Sequence, residues 1–195
     1  MDPKAIDEVI QRRRTIKPPM MSDAPVPETD LKAVLESARW APSHGLTEPW
    51  RFRIYRGTAR QTLADAMASL YKATMPLDQQ RPDKLEKMRV LPLQAPVVML
   101  VWMARQATLK ITELEEIEAV ACAVQNMQLT ATARGLGTFW STPSFVYASE
   151  MNTWMGIGAK DRCLGIFYLG YPANPAEWPQ GRRRPIEEKI EWVDA

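Results

Sequence analysis

The sequence predicts an α+β domain in which a central mixed or antiparallel sheet is flanked by helices. Three observations predict it. Helical and strand-like patterns alternate along 195 residues without an internal repeat. The run Val97-Val98-Met99-Leu100-Val101-Trp102 is uniformly apolar, as an interior strand covered on both faces should be. The stretch from Ala119 to Ala133 carries no charge, which predicts a helix buried around its whole circumference. A hydrophobic content of 46% over this length fits a single domain, residues 1–195, with an ample core.

The elements follow in order. Ala5 to Ile10 reads as a short helix that delivers the run Arg12-Arg13-Arg14 at its end. After the Pro25-Val26-Pro27 turn, Leu31, Val34, Leu35 and Ala38 are spaced as the buried stripe of a second helix, which stops at Trp40-Ala41-Pro42 because proline disfavours helix in the residue before it. Arg51 to Tyr55 alternates polar and apolar residues as a half-buried strand. Thr58 to Ala73 is helical, and the charged, proline-flanked segment Pro76–Leu93 reads as a mobile excursion. Thr112 and Glu115 have capping-box spacing at the start of the uncharged helix, and Gly135 is placed to cap its end. Small residues at 119, 121, 123, 131 and 133 would let a second helix approach closely, so a subunit interface is one burial partner and the protomer's own core is the other. Strands are expected over Thr138–Trp140 and Leu164–Leu169, with Gly170-Tyr171-Pro172 turning the chain away. Residues from about 172 to 195 form an extension ending in a strand-like Lys189–Val193.

Charge narrows the function. The chain holds 25 Lys plus Arg against 23 Asp plus Glu, and six of the arginines lie in two runs, Arg12–Arg14 and Arg182–Arg184. The positive charge is therefore local. A fold that joins the two runs would suit a phosphate, since each guanidinium presents a planar fork to two oxygens. The balance elsewhere argues against nucleic acid, and no aromatic-and-basic surface alternates around the runs. No apolar run is long enough to cross a bilayer. Two cysteines without metal spacing suit a cytoplasmic setting without disulfides. One histidine cannot supply a multi-His zinc site, and no metal is expected. No HExxH, Gly-x-Ser-x-Gly elbow or P-loop is present, and Gly135-Leu136-Gly137 and Gly156-Ile157-Gly158 lack a dinucleotide fingerprint. Reactive side chains are scarce, which points to a bound cofactor as the reactive species.

Five motifs in order resemble the FMN-dependent nitroreductase family, and most of all its small bacterial members. They are Arg13-Arg14-Thr15, Ala41-Pro42-Ser43-His44 with Glu48-Pro49-Trp50, Gly135-Leu136-Gly137-Thr138, Leu169-Gly170-Tyr171-Pro172, and Arg182-Arg183-Arg184-Pro185-Ile186. The resemblance spans nearly the whole chain. It implies a homodimer with FMN at the subunit interface and a C-terminal segment that extends the partner's sheet.

Carried over by residue, the resemblance gives Arg13, Arg14, Thr15, Arg182 and Arg184 the phosphate and ribityl end of FMN. It brings Trp40 and His44 to the cofactor of the neighbouring subunit and runs Trp140, Ser141 and Thr142 along the isoalloxazine. It makes Ala131, Thr132, Ala133, Arg134, Gly135 and Leu136 a contact for the nicotinamide nucleotide. The implied activity is hydride transfer from NADH or NADPH through flavin N5 to a nitroaromatic, quinone or similar small acceptor, with no side-chain acid or base assigned. Two other readings stay open: a flavin enzyme that desaturates, dehalogenates or fragments its substrate, and a non-catalytic flavin-binding protein. Many relatives carry an amide side chain near position 46 and glutamine before the Pro-Trp pair. Leu46 and Glu48 stand there instead, and Trp40 stands where close relatives can carry a basic residue.

Overall fold

The structure, a computed structural model, describes residues 2–193. Its centre is a four-stranded sheet in the order β1-β2-β4-β3, formed by β1 (Trp50–Arg56), β2 (Val97–Met103), β3 (Gly137–Ser141) and β4 (Arg162–Gly170). All three ladders are antiparallel. One isolated parallel bridge, Thr15 to Thr138, joins the N-terminal segment to β3.

The apolar run over Val97–Trp102 is explained by its place in the sheet. Val97, Met99, Val101 and Met103 point into a core shared with helices α2 (Glu28–Arg39) and α5 (Glu113–Ala133). Val98 and Leu100 point the other way, among residues of α3 (Ala59–Thr74), α4 (Pro82–Val90) and α6 (Ser149–Met155). Successive side chains of a strand face opposite sides, so a strand that separates two cores has no polar face.

Local signals hold where they were expected. Thr112 and Glu115 form the reciprocal capping box of α5. At its other end Gly135 takes φ 72°, with Gly135 N–H bonded to the Thr132 carbonyl and Leu136 N–H to that of Ala131. This is the left-handed C-terminal cap that glycine adopts without a Cβ penalty.

One expectation is corrected, and three features of the protomer stand beside it. The segment Pro76–Leu93 is not an excursion: it contains α4, which packs on α3 and buries Met88. Within the protomer α5 leaves Cys122, Gln125 and Ala133 exposed on one face, the face at which a subunit interface is the expected burial partner. Lys189–Val193 forms no strand within the protomer. Ile186–Lys189 is a 3-10 turn, and residues 190–193 carry no ladder. Helix α6, closed by Gly156 at φ 64°, was not anticipated.

Candidate cofactor site

Both arginine runs reach the same edge of the sheet. Helix α1 (Pro3–Arg12) ends at Arg13, whose N–H bonds the Val9 carbonyl at 3.0 Å. The chain then runs beside β3, with Ile16 N–H donating to the Thr138 carbonyl at 2.9 Å. Gly137 allows this approach, since a Cβ there would lie 2.5 Å from the Ile16 Cβ. The C-terminal chain returns to the same place. Met21 bridges Pro172, and Trp178 Nε1 donates to the Arg12 carbonyl at 2.8 Å while the Arg12 guanidinium lies 5.4 Å from the Trp178 ring centroid. Three residues later Gly181 lies against Arg14.

The cluster is electrostatically unsatisfied. Burial, then the charges of Arg183 and Arg14, hold the Arg13 pKa below its ordinary value. Among the described residues, none of Arg13, Arg14, Arg182, Arg183 or Arg184 forms an ion pair. Arg14 Nη1 donates to the Arg13 carbonyl at 2.6 Å, yet its buried Nε has no partner. A buried guanidinium nitrogen left unpaired among like charges is costly unless an anion supplies the acceptor. The residues present fit a phosphate.

Arg12 and Arg14 line a cavity of about 340 Å³ with Glu8 and Trp178; two other cavities, contiguous with each other, begin at Lys17, three residues along the chain from Arg14. One of about 620 Å³ is lined by Lys17, Pro18, Pro19 and Val90. The next, of about 430 Å³, is lined by Met75, Lys84, Ser141, Thr142 and Pro143. They share Lys87, Leu91 and Phe139, so one groove runs along β3 beneath α4. Lys17 and Lys87 belong to no motif. The one sequence signal for Lys17 is its place two residues beyond Thr15.

Trp140 is turned away from this groove within the protomer. Residues 139 and 141 line it, so the alternation of β3 puts the indole on the opposite face. There Trp140 Nε1 donates to the Leu164 carbonyl at 2.9 Å, and the ring lies against Gly165, where a Cβ would come within 2.4 Å of Nε1. In the segment 131–136, Ala131, Thr132 and Leu136 are buried and only Ala133, Arg134 and Gly135 reach the surface. Arg134 is held by Asp30 at 2.6 Å.

Trp40 and His44 are not brought to the cradle of their own protomer. His44 sits at the start of α5, where its Nδ1 lies 2.8 Å from Glu115 Oε1. The cradle sits past the far end of this 21-residue helix, about 30 Å away along its axis. Trp40 is 72% exposed, its Nε1 bonded to Glu36 at 3.1 Å.

A family model described as "Nitroreductase family" matches residues 10–171. The chain belongs to the nitroreductase family. The match contains the first arginine run and stops short of the second, so this nitroreductase-family chain adds Arg182–Arg184 beyond the matched span. It is 27% identical over 184 residues to the "Putative NAD(P)H nitroreductase YfhC" of Bacillus subtilis, covering 94% of this chain and 91% of that one. It is 31% identical over 187 residues to the 5,6-dimethylbenzimidazole synthase of Rhodospirillum rubrum, covering 91% and 87%. The solved structure of a nitroreductase-like family protein from Bacillus cereus superposes with a TM-score of 0.82 at 29% identity, covering 97% and 96%. Among the described residues no three His, Cys, Asp or Glu gather to hold a metal, and no helix is long and apolar enough to cross a membrane.

Proposed function

We propose that this chain is an FMN-dependent NAD(P)H oxidoreductase acting as a homodimer in the cytoplasm. The observation that carries the reading is the arginine cradle, with the unpaired Arg14 Nε, on the chain that leads within three residues to Lys17 and the groove beneath α4. When bound, FMN would supply two-electron, ping-pong hydride chemistry between NADH or NADPH and a nitroaromatic, quinone or similar small acceptor. Arg13, Arg14, Thr15, Arg182 and Arg184 grip the phosphate and ribityl end. Lys17 and Lys87 stand where the groove continues, as cations for the pyrimidine edge, and stabilise charge that develops there. Ser141 and Thr142 form the wall, with Trp140 supporting β3 from behind. The exposed members of the 131–136 segment, Ala133 to Gly135, are the part free to meet a nicotinamide nucleotide.

Two features support the homodimer. The open face of α5 is uncharged from Ala121 to Ala133, and His44 can meet a cradle only on another protomer. The name of YfhC supports the nucleotide donor.

A visible spectrum tests the reading. Freshly purified protein should be yellow, bleach on anaerobic addition of NADPH or NADH, and regain its bands when a nitroaromatic or quinone is added. A colourless protein that binds no FMN overturns it. The likeness to 5,6-dimethylbenzimidazole synthase favours, as a second reading, the same cofactor in a different reaction. Flavin that stays oxidised with either nucleotide would select that reading.

A further inference from the structure

Glu115 holds two structures together with one carboxylate. Its Oε2 accepts the Thr112 backbone N–H at 3.1 Å and the Thr112 hydroxyl at 2.8 Å, closing the cap of α5. Its Oε1 lies 2.8 Å from Nδ1 of His44, the chain's only histidine. Hydrogen bonds from His44, then from Thr112, hold the Glu115 carboxyl down to about 2. It is therefore a carboxylate that can only accept, and Nδ1 of His44 must carry the proton. A neutral His44 then has its lone pair on Nε2, on the far side of the ring. That nitrogen has no hydrogen-bond partner among the described residues, and the side chain is 63% exposed.

The loop around His44 is held in an unusual shape. Gly45, Leu46 and Glu48 have φ of 63°, 54° and 43°. Left-handed backbone at Leu46 and Glu48 costs free energy and persists only where neighbours over-determine it. Gly45 is packed on Ile111, where an added Cβ would meet the side chain at 3.3 Å. Ile111 in turn accepts from Arg105 Nη2 at 2.6 Å. Leu46 is 84% exposed and offers no polar group. The Ser43 hydroxyl already receives the Glu48 N–H at 3.4 Å. His44 is thus the fixed polar group that the loop turns outward.

We propose that Glu115 is a positioning residue. It fixes His44 as the Nδ1–H tautomer and so presents Nε2 as a hydrogen-bond acceptor to the cofactor of the neighbouring protomer. This rests on the proposed placing of His44 at that cofactor. In this role Nε2 supplies the acceptor half of an amide, at a loop where positions 46 and 48 carry Leu and Glu. The group it suits is an N–H such as that of a flavin pyrimidine ring.

Glu115→Gln is the informative variant, because glutamine also closes a capping box and leaves α5 intact. With its oxygen accepting the Thr112 N–H to close the cap, the glutamine turns its NH2 to the ring and no longer holds the Nδ1–H tautomer. The FMN-loaded proteins are compared by long-range 1H–15N NMR at about pH 8.5, where an ordinary imidazole is neutral. One histidine per chain makes the assignment unambiguous. The expected result is Nδ1–H in the wild type and a mixture in Glu115→Gln, together with a displaced flavin midpoint potential and unchanged FMN content.

Nε2–H in the wild type overturns the proposal, and so does a tautomer that Glu115→Gln leaves alone. A changed tautomer with an unmoved potential also overturns it, while full FMN content with NAD(P)H bleaching would leave the oxidoreductase reading standing. A protein that takes up no FMN overturns both.

Discussion

The guanidinium of Arg14 lies across the backbone of Gly181, so closely that a Cβ at 181 would sit 2.0 Å from Nη2 and 2.2 Å from Cζ. The two residues are far apart in sequence, and their contact is what closes the arginine cradle. Gly181→Ala should therefore push Arg14 aside without disturbing the core, since residue 181 is exposed. Apoprotein titrated with FMN should bind at least about tenfold more weakly, a loss of about 1.4 kcal/mol, with the apoprotein melting temperature unchanged. Undiminished affinity would show that Arg14 makes no contact with the cofactor.

Charge-assisted hydrogen bonds contribute about 1.5–3 kcal/mol each. Arg14→Ala combined with Arg184→Ala should then weaken FMN binding by about two to four orders of magnitude, and the protein should purify colourless. It should also flatten the salt dependence of binding, because two of the charges that attract the phosphate are gone. Full yellow occupancy would count against both arginines.

How much of this was legible in the sequence depends on the range of each signal. The capping box at Thr112, the Gly135 cap and β2 rest on neighbours in the chain, and all were readable. The joining of Arg14 and Gly181 rests on bridges at Thr15–Thr138 and Met21–Pro172, which no local pattern announces; the two runs alone only suggested it. Helix α4 is hidden in the sequence because its single buried residue, Met88, leaves no apolar stripe to read. Strand alternation turns Trp140 to the α2–α5 core, away from the groove that Phe139 and Ser141 line. Lys17 and Lys87 come together only through tertiary packing, on the lining of one groove.

The open face of α5 is expected to be the subunit interface. Cys122 lies on it, exposed within the protomer, so a charged residue there should leave the monomer folded. Cys122→Glu should bury an unpaired carboxylate in each half of a two-fold contact, a penalty that an assembly seldom survives. Light scattering after gel filtration should report a monomer, and on the proposed reading FMN content should fall with it, because each cofactor would lie between the cradle of one protomer and His44 of the other. A dimer that keeps its flavin would move the interface elsewhere.

The Glu115 carboxyl, ordinarily near 4.5, is held at about 2 by His44 and Thr112. Because the folded value is depressed, the stabilisation is present above about pH 4.5 and is lost as pH falls from there towards about 2. Exposure keeps it modest. The melting temperature of the wild type should exceed that of Glu115→Gln at pH 6, and the gap should narrow below about pH 4.5 and close as pH approaches about 2. Glu28 and Asp83 also have lowered values, but both proteins share them, so they cancel in the difference. A gap that widens in acid would contradict the pairing.

Arg105 and Glu116 form an ion pair at the base of the His44 loop, with side chains 11% and 0% exposed. Arg105 is also tied through its backbone N–H to Asp161 Oδ1 at 2.8 Å, while Glu116 Oε1 is buried without a partner. Arg105→Met would leave Glu116 as an uncompensated buried charge, a cost of about 3–5 kcal/mol. For a chain of this size that is a fall of about 6–20 °C in melting temperature. Removing both charges, Arg105→Met with Glu116→Leu, also removes the desolvation penalty, so the double variant should melt well above the single one. Calorimetry of the three proteins decides it: a double variant no more stable than Arg105→Met would show that the pair stabilises the fold in its own right.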